Sequence, residues 1–163
     1  MTKSDEEWMR EALGDAEAAM EYAEIPVASI LVGDGLEITR AQTQVRRRGS
    51  IAAHGELYAI LDAKASIYEY ADLTIYTTLE PCLMCVGACL QAGVKHVVFG
   101  MRAAPDGAAS LSSAIRDSGQ PAAEIEGGLL EEDSVALMVT FRERFPDSPA
   151  IPYVNAMLAE YGK

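Results

Sequence analysis

Basic residues are scarce in this chain: 13 lysines and arginines stand against 25 aspartates and glutamates, a net charge of −12 over 163 residues. Such an acidic surface repels polyanions on average, which argues against nucleic acid as a partner and for a small-molecule substrate. Long apolar runs are absent too. Charges or glycines interrupt each one well before the ~20 residues a membrane span requires. The N-terminus reads MTKSDEEW rather than a basic segment followed by an apolar one, so a soluble, unexported, cytoplasmic protein with no membrane segment is expected. Cysteines number only three, two of them three positions apart. That odd count disfavours a disulfide framework and suits a reducing compartment, with the close pair serving metal or redox chemistry. Repeats, low-complexity tracts and linkers are missing as well. The 50% hydrophobic content is enough for one globular domain over residues 1–163.

Ser4 followed by Glu7 has the form of a capping box, and Trp8, Ala12, Ala16 and Met20 recur at helical spacing, predicting an amphipathic helix from about 5 to 22 that Pro26 ends. Residues 27–41, VASILVGDGLEITRA, read as a hairpin turning at Gly-Asp-Gly, and 42–52 as a loop. A second helix is expected from His54 through Leu57, Ile60, Leu61 and Ala65, then a buried strand over 73–79, LTIYTTL. Pro81 suits the first position of a third helix, lined by Gly87, Ala88, Cys89 and Ala92 up to Gly93. A strand over 96–102, a short one over 122–126, a helix over 131–145 and a last helix after Pro152 complete the reading. From the hairpin onward strands and helices largely alternate, which predicts helices on both faces of one mainly parallel sheet with an antiparallel edge.

The chemistry concentrates in two stretches, 53-AHGEL-57 and 79-LEPCLMC-85. His54, Cys82 and Cys85 are three ligands of the kind a catalytic zinc takes, leaving the fourth tetrahedral corner for water. A Cys-x-x-Cys pair in the first helical turn points both sulfurs one way, and the helix N-terminus favours the thiolate form. Two thiolates and a neutral imidazole balance the charge of Zn2+, which can still bring the pKa of its water to about 7. Glu56, two positions after His54, can face the open corner and carry protons. Taken singly, a redox cysteine pair and a helix-capping histidine are the commoner explanations. Together, H-x-E and P-C-x-x-C match the signature of zinc deaminases, so Zn2+ is the expected cofactor. Cys89, one turn beyond Cys85, reads as a buried small apolar group, and His96 as structural.

On these motifs the chain resembles the cytidine deaminase superfamily, in the branch of bacterial tRNA adenosine deaminases, guanine deaminases and fungal-type cytosine deaminases. The segments 73-LTIYTTLEPCLMCVGA-88 and 97-VVFGMRAAPDGAASL-111 are similar to the tRNA enzymes, whereas 49-GSIAAHGE-56 resembles the fungal cytosine deaminases, which carry glycine between histidine and glutamate where the tRNA enzymes usually carry alanine. The resemblance implies a three-layer α-β-α fold around a central mixed five-stranded sheet, with His54, Cys82 and Cys85 as zinc ligands and Glu56 as catalytic shuttle. It also implies substrate contacts from the backbone N–H groups of Gly55 and Cys82 and the carbonyl of Glu80, and a homodimer pairing through the helices after each motif. Related enzymes read the base with an asparagine that falls here on Thr43, flanked by Gln42 and Gln44. A threonine hydroxyl offers no paired donor and acceptor, so either a glutamine such as Gln44 substitutes or the substrate differs. At the C-terminal end, where the fungal and tRNA types diverge, Asp147 and Tyr153 are the pocket candidates.

The acidic balance ranks the functions. A zinc-dependent hydrolytic deaminase of a free nucleobase or nucleoside is expected, releasing ammonia, with nucleic acid disfavoured. The alternative is a tRNA adenosine deaminase, supported by the LEPCLMC block and by Arg46, Arg47 and Arg48, whose plain reading is a solvated loop. A non-catalytic zinc scaffold ranks third, because Glu56 is present and a structural zinc more often has a fourth protein ligand.

Overall fold

A computed structural model describes residues 2–119 and 122–163 of the chain. Helix α1 (Asp5–Ala19) starts at the anticipated cap: the Glu7 amide donates to Ser4 Oγ at 3.3 Å and the Ser4 amide to the Glu7 carboxylate at 2.8 Å. Its buried side Trp8, Met9, Ala12, Ala16 and Ala19 follows the helical period, and a 3-10 turn (Met20–Tyr22) prolongs it. Strands β1 (Ala28–Gly33) and β2 (Leu36–Gln42) form the hairpin, joined through Asp34 and Gly35, both at positive φ as a tight two-residue turn requires.

Residues 42–52 are not a plain loop. Within them lies the single-turn helix α2 (Val45–Arg48), and the cause is distant in sequence: the buried Glu24 carboxylate accepts from the amides of Arg46 (2.9 Å) and Arg47 (2.7 Å), satisfying groups that a helix start leaves free. Helix α3 (Gly55–Ala63) runs into a 3-10 segment (Lys64–Glu69), and β3 (Leu73–Leu79) follows where expected. The third helix, α4 (Leu83–Gln91), begins later than the proline suggested: Cys82 is its N-cap and Pro81 stays outside. Strand β4 (His96–Met101) precedes an unforeseen helix α5 (Leu111–Asp117), after which come β5 (Glu124–Gly127), α6 (Glu131–Arg144) and α7 (Ile151–Ala159).

The five strands form one mixed sheet in the order β2-β1-β3-β4-β5. Strand β1 runs antiparallel to both β2 and β3, while β3, β4 and β5 are parallel, so the antiparallel part is half of the pairing and not an edge. Side chains alternate across the sheet. Ile30, Val32 and Tyr76 pack beneath α1, and α6 and α7 extend that layer over Leu79 and Met101. On the other face Leu31, Ile75 and Val97 meet Ala59 and Ala63 of α3 and Cys89 of α4. This is the three-layer α/β architecture, and it brings the starts of α3 and α4 together beside the end of β3. Among the described residues no helix is long and apolar enough to cross a membrane.

Candidate metal centre

His54 is the N-cap of α3 and Cys82 the N-cap of α4, both in extended backbone, with Cys85 in the first turn of α4. Three residues separated by up to 31 positions thus converge. His54 Nδ1 lies 3.6 Å from Cys82 Sγ and 3.5 Å from Cys85 Sγ, and the two sulfurs are 3.7 Å apart. Zn–S bonds of about 2.3 Å and Zn–N bonds of about 2.0–2.1 Å at tetrahedral angles would place two sulfurs ~3.8 Å apart and sulfur and nitrogen ~3.6 Å apart. The triangle therefore fits the ion without rearrangement. Among the described residues His54, Cys82 and Cys85 are the group of potential ligands close enough to share a metal.

The electrostatics agree with a cation-binding cluster. The Cys82 thiol is drawn down to about 4, first by the hydrogen bond from Cys85 and with help from His54, while Cys85, which gives that bond and is buried, is pushed up. A divalent cation bound by both sulfurs would displace their thiol protons. His54 is raised, chiefly by its hydrogen bond to Cys82. Glu56 is 3% exposed in the first turn of α3; burial raises its pKa, and its Oε2 has no hydrogen-bond partner. An orphaned carboxylate oxygen in such a place fits a water held by the metal, since buried polar atoms otherwise find partners. Cys89 is buried against Leu31, Ile75 and Val97, its thiol pushed to about 12 by burial, and stands outside the cluster. His96 opens β4 between Asp72 (3.7 Å) and Glu124 (3.5 Å).

The polar candidates around the metal are distributed unevenly. Thr43 is buried, and its hydroxyl donates to the Ala53 carbonyl (3.2 Å), tying it to the residue before His54. Gln44 donates its amide to the same carbonyl and accepts from Arg48 Nε at 3.1 Å; the Gln42 side chain bonds to the Asp15 carbonyl and Arg47. All three side chains are therefore engaged within the chain. Gly55 is the first residue of α3 and packs against the Ala41 carbonyl of β2. The Glu80 carboxylate does structural duty, accepting from the amides of Ala103 and Ala109 (both 3.1 Å). Asp147 is exposed beyond α6 with no hydrogen bond or ion pair among the described residues. Tyr153, by contrast, donates its hydroxyl to Asp106 Oδ1 at 2.8 Å, and the charges of Cys82 and Glu56 act on it. Asp106 itself acts on His54. Nothing in its local sequence singled it out: it sits in the loop after β4, which Glu80 folds back over the start of α4, where Cys82 bridges to Gly107.

Residues 2–101 match the family model described as the cytidine and deoxycytidylate deaminase zinc-binding region. A tRNA-specific adenosine deaminase of Streptococcus pyogenes serotype M18 (strain MGAS8232) is 35% identical over 149 residues, 86% of this chain and 94% of that one. The chloroplastic tRNA(adenine(34)) deaminase of Arabidopsis thaliana is 43% identical over 98 residues, which are 59% of this chain and only 8% of that protein. A solved structure from work on A-to-I editing by tRNA:A34 deaminases at the wobble position is 30% identical, with a TM-score of 0.67 over 80% of this chain and 98% of the other.

Proposed function

The chain belongs to the cytidine and deoxycytidylate deaminase family, and from that premise we propose that it is a tRNA adenosine deaminase, converting adenosine to inosine at the wobble position. The family makes it a zinc-dependent hydrolytic enzyme. The observation that carries the substrate is the 35% identity, over nearly the full length of both chains, to a tRNA-specific adenosine deaminase.

This corrects the expectation drawn from charge. A free nucleobase or nucleoside as substrate, with nucleic acid disfavoured, is overturned by relatives that act on tRNA. The physical reason is that a net charge of −12 averages over the whole surface. Many acids are placed away from the cluster, as on α1, where Glu6 pairs with Arg10 and Glu11 with Lys3 and Arg40. An average of this kind does not describe the field at one site.

In the proposed reaction His54, Cys82 and Cys85 hold the metal. Zinc supplies a Lewis acid there that makes a water acidic near neutral pH. Glu56, buried and with Oε2 unpartnered, is placed to take a proton from the attacking water. It delivers that proton to the ring nitrogen beside the amine-bearing carbon as the water oxygen bonds to that carbon. It then takes the second proton from the hydroxyl so formed and gives it to the amine, whose C–N bond breaks, so that adenosine and water yield inosine and ammonia. Burial raises the pKa of Glu56, which suits a group that must both accept and return a proton. The Gly55 amide, at the first helical position, has no partner within its helix and is a donor available to the substrate.

The test is incubation of the zinc-loaded protein with a transfer RNA carrying adenosine at the wobble position, followed by nucleoside analysis for inosine. Stoichiometric inosine is expected. Ammonia released from free bases or nucleosides, with no inosine in RNA, would overturn the reading.

A further inference from the structure

We propose that Arg46 and Arg48, with the Tyr58 ring beside Arg48 and the Tyr22 ring beneath neighbouring Arg47, form an RNA-docking rim near the metal cluster, gripping the strand that flanks the reacting base. This rests on the tRNA reading above and adds the surface that holds the polynucleotide. Residues 38–55 include four arginines and no acid, in a chain whose acids outnumber its bases by 25 to 13. The four arginines differ in how they are used. Arg40 is neutralised by Glu11, Asp15 and Glu37. Arg47 is a strut: its guanidinium reaches buried Glu24 (3.5 Å) and the Thr43 carbonyl (3.2 Å) and lies over the Tyr22 ring at 4.3 Å. Arg46 and Arg48 are exposed and meet no carboxylate among the described residues. Arg46 has no side-chain partner among the described residues, and Arg48 bonds only to the neutral Gln44 while lying 5.1 Å from the Tyr58 ring centre. Glu24, buried against this turn, already binds the amides of Arg46 and Arg47 and the Arg47 guanidinium, and Asp15 and Asp62 line a pocket on the Arg47 side.

The rim is fixed relative to the cluster from both sides. Thr43 Oγ1 and the Gln44 amide bind the carbonyl of Ala53, the residue before His54, and the Tyr58 amide binds the carbonyl of His54 itself at 3.1 Å. Tyr58, which Arg48 overlies, is therefore one helical turn along α3 from His54. Tyr22, 52% exposed, offers a second ring edge. Unpaired guanidinium groups interleaved with tyrosine rings are the equipment for a single-stranded ribose-phosphate chain, whose phosphates take the charge and whose unstacked bases take the rings. A base delivered to the cluster must leave its stack, so its neighbours in the strand have to be held.

Binding and turnover should be measured separately, on Arg46→Ala, Arg48→Ala and the double variant. Fluorescence anisotropy of a labelled anticodon stem-loop, titrated over a range of salt, reads affinity without requiring chemistry. The double variant should bind about 10-fold more weakly, with a salt slope smaller by about 0.7 for each arginine removed. Zinc content and melting temperature should match wild type. Equal affinity and slope in wild type and variants would overturn the rim while leaving the deaminase reading intact. RNA bound through the arginines but never converted to inosine would overturn the deaminase reading and leave the rim standing.

Discussion

The Tyr153 hydroxyl donates a 2.8 Å hydrogen bond to the carboxylate of Asp106, joining helix α7 to the loop after β4 at the edge of the metal cluster. Both residues lie beyond the 2–101 segment that the deaminase family model covers. Asp106 precedes Gly107, which bridges to Cys82, so the pair lies beside the start of α4.

Tyr153→Phe should therefore affect substrate handling more than folding. Asp106 is exposed, so water replaces the lost bond and the stability change should stay near 1 kcal/mol or less. The KM for the stem-loop should rise several-fold with kcat within about twofold. Unchanged KM would reduce the contact to a surface link between α7 and the loop.

Glu56→Gln preserves shape and removes the titratable oxygen. Zinc should remain bound, because His54, Cys82 and Cys85 are untouched, while kcat should fall by about 10²–10⁴. Metal analysis together with single-turnover inosine formation checks both halves. Near-normal turnover in a zinc-loaded variant would remove Glu56 from the chemistry.

Metal removal should loosen the starts of α3 and α4 together, since their caps contribute to one cluster. A ligand present at 100 times its Kd stabilises the folded state by about 2.7 kcal/mol. For a chain of 163 residues, at about 2–4 °C per kcal/mol, chelation should lower the melting temperature by about 5–10 °C. Cys85→Ser should begin at that lower value and stop responding to chelator. A chelator-sensitive melt in the serine variant would count against Cys85 as a ligand.

The elements legible in the sequence were those whose cause is local. The Ser4–Glu7 box, the Asp34-Gly35 turn and the apolar run of β3 each carry their signal within a few residues. Helix α2 did not, because its cap is the carboxylate of Glu24, and the strand order did not, because nothing in β1 states that β3 will pair on its far side. The metal triad was readable because each ligand sits at a helix start with a recognisable spacing. The surroundings were not: Asp106 acquires its position from Glu80 folding a loop, and the Thr43 hydroxyl is occupied by Ala53. Charge misled for a related reason, since composition counts acids without saying where the fold puts them.

Gly55, between His54 and Glu56, is a place where the resemblance and the packing meet. The tRNA enzymes that this chain is similar to usually carry alanine there, yet an ideal Cβ would lie 2.9 Å from the Ala41 carbonyl oxygen and 3.4 Å from Gln42 C and Ser29 Oγ. The closest of these is backbone of β2, held in its ladder with β1, and it has little room to yield. Alanine at 55 would have to push the start of α3 away from the sheet by tenths of an ångström, carrying His54 and Glu56 with it. Gly55→Ala should accordingly cost about 1–3 kcal/mol, as overpacking at a rigid contact does. It should also weaken zinc retention in a chelator titration, because His54 moves while Cys82 and Cys85 stay on α4. A variant as stable and as metal-retentive as wild type would mean that β2 and α3 part easily, and that glycine here answers to the substrate and not to the sheet.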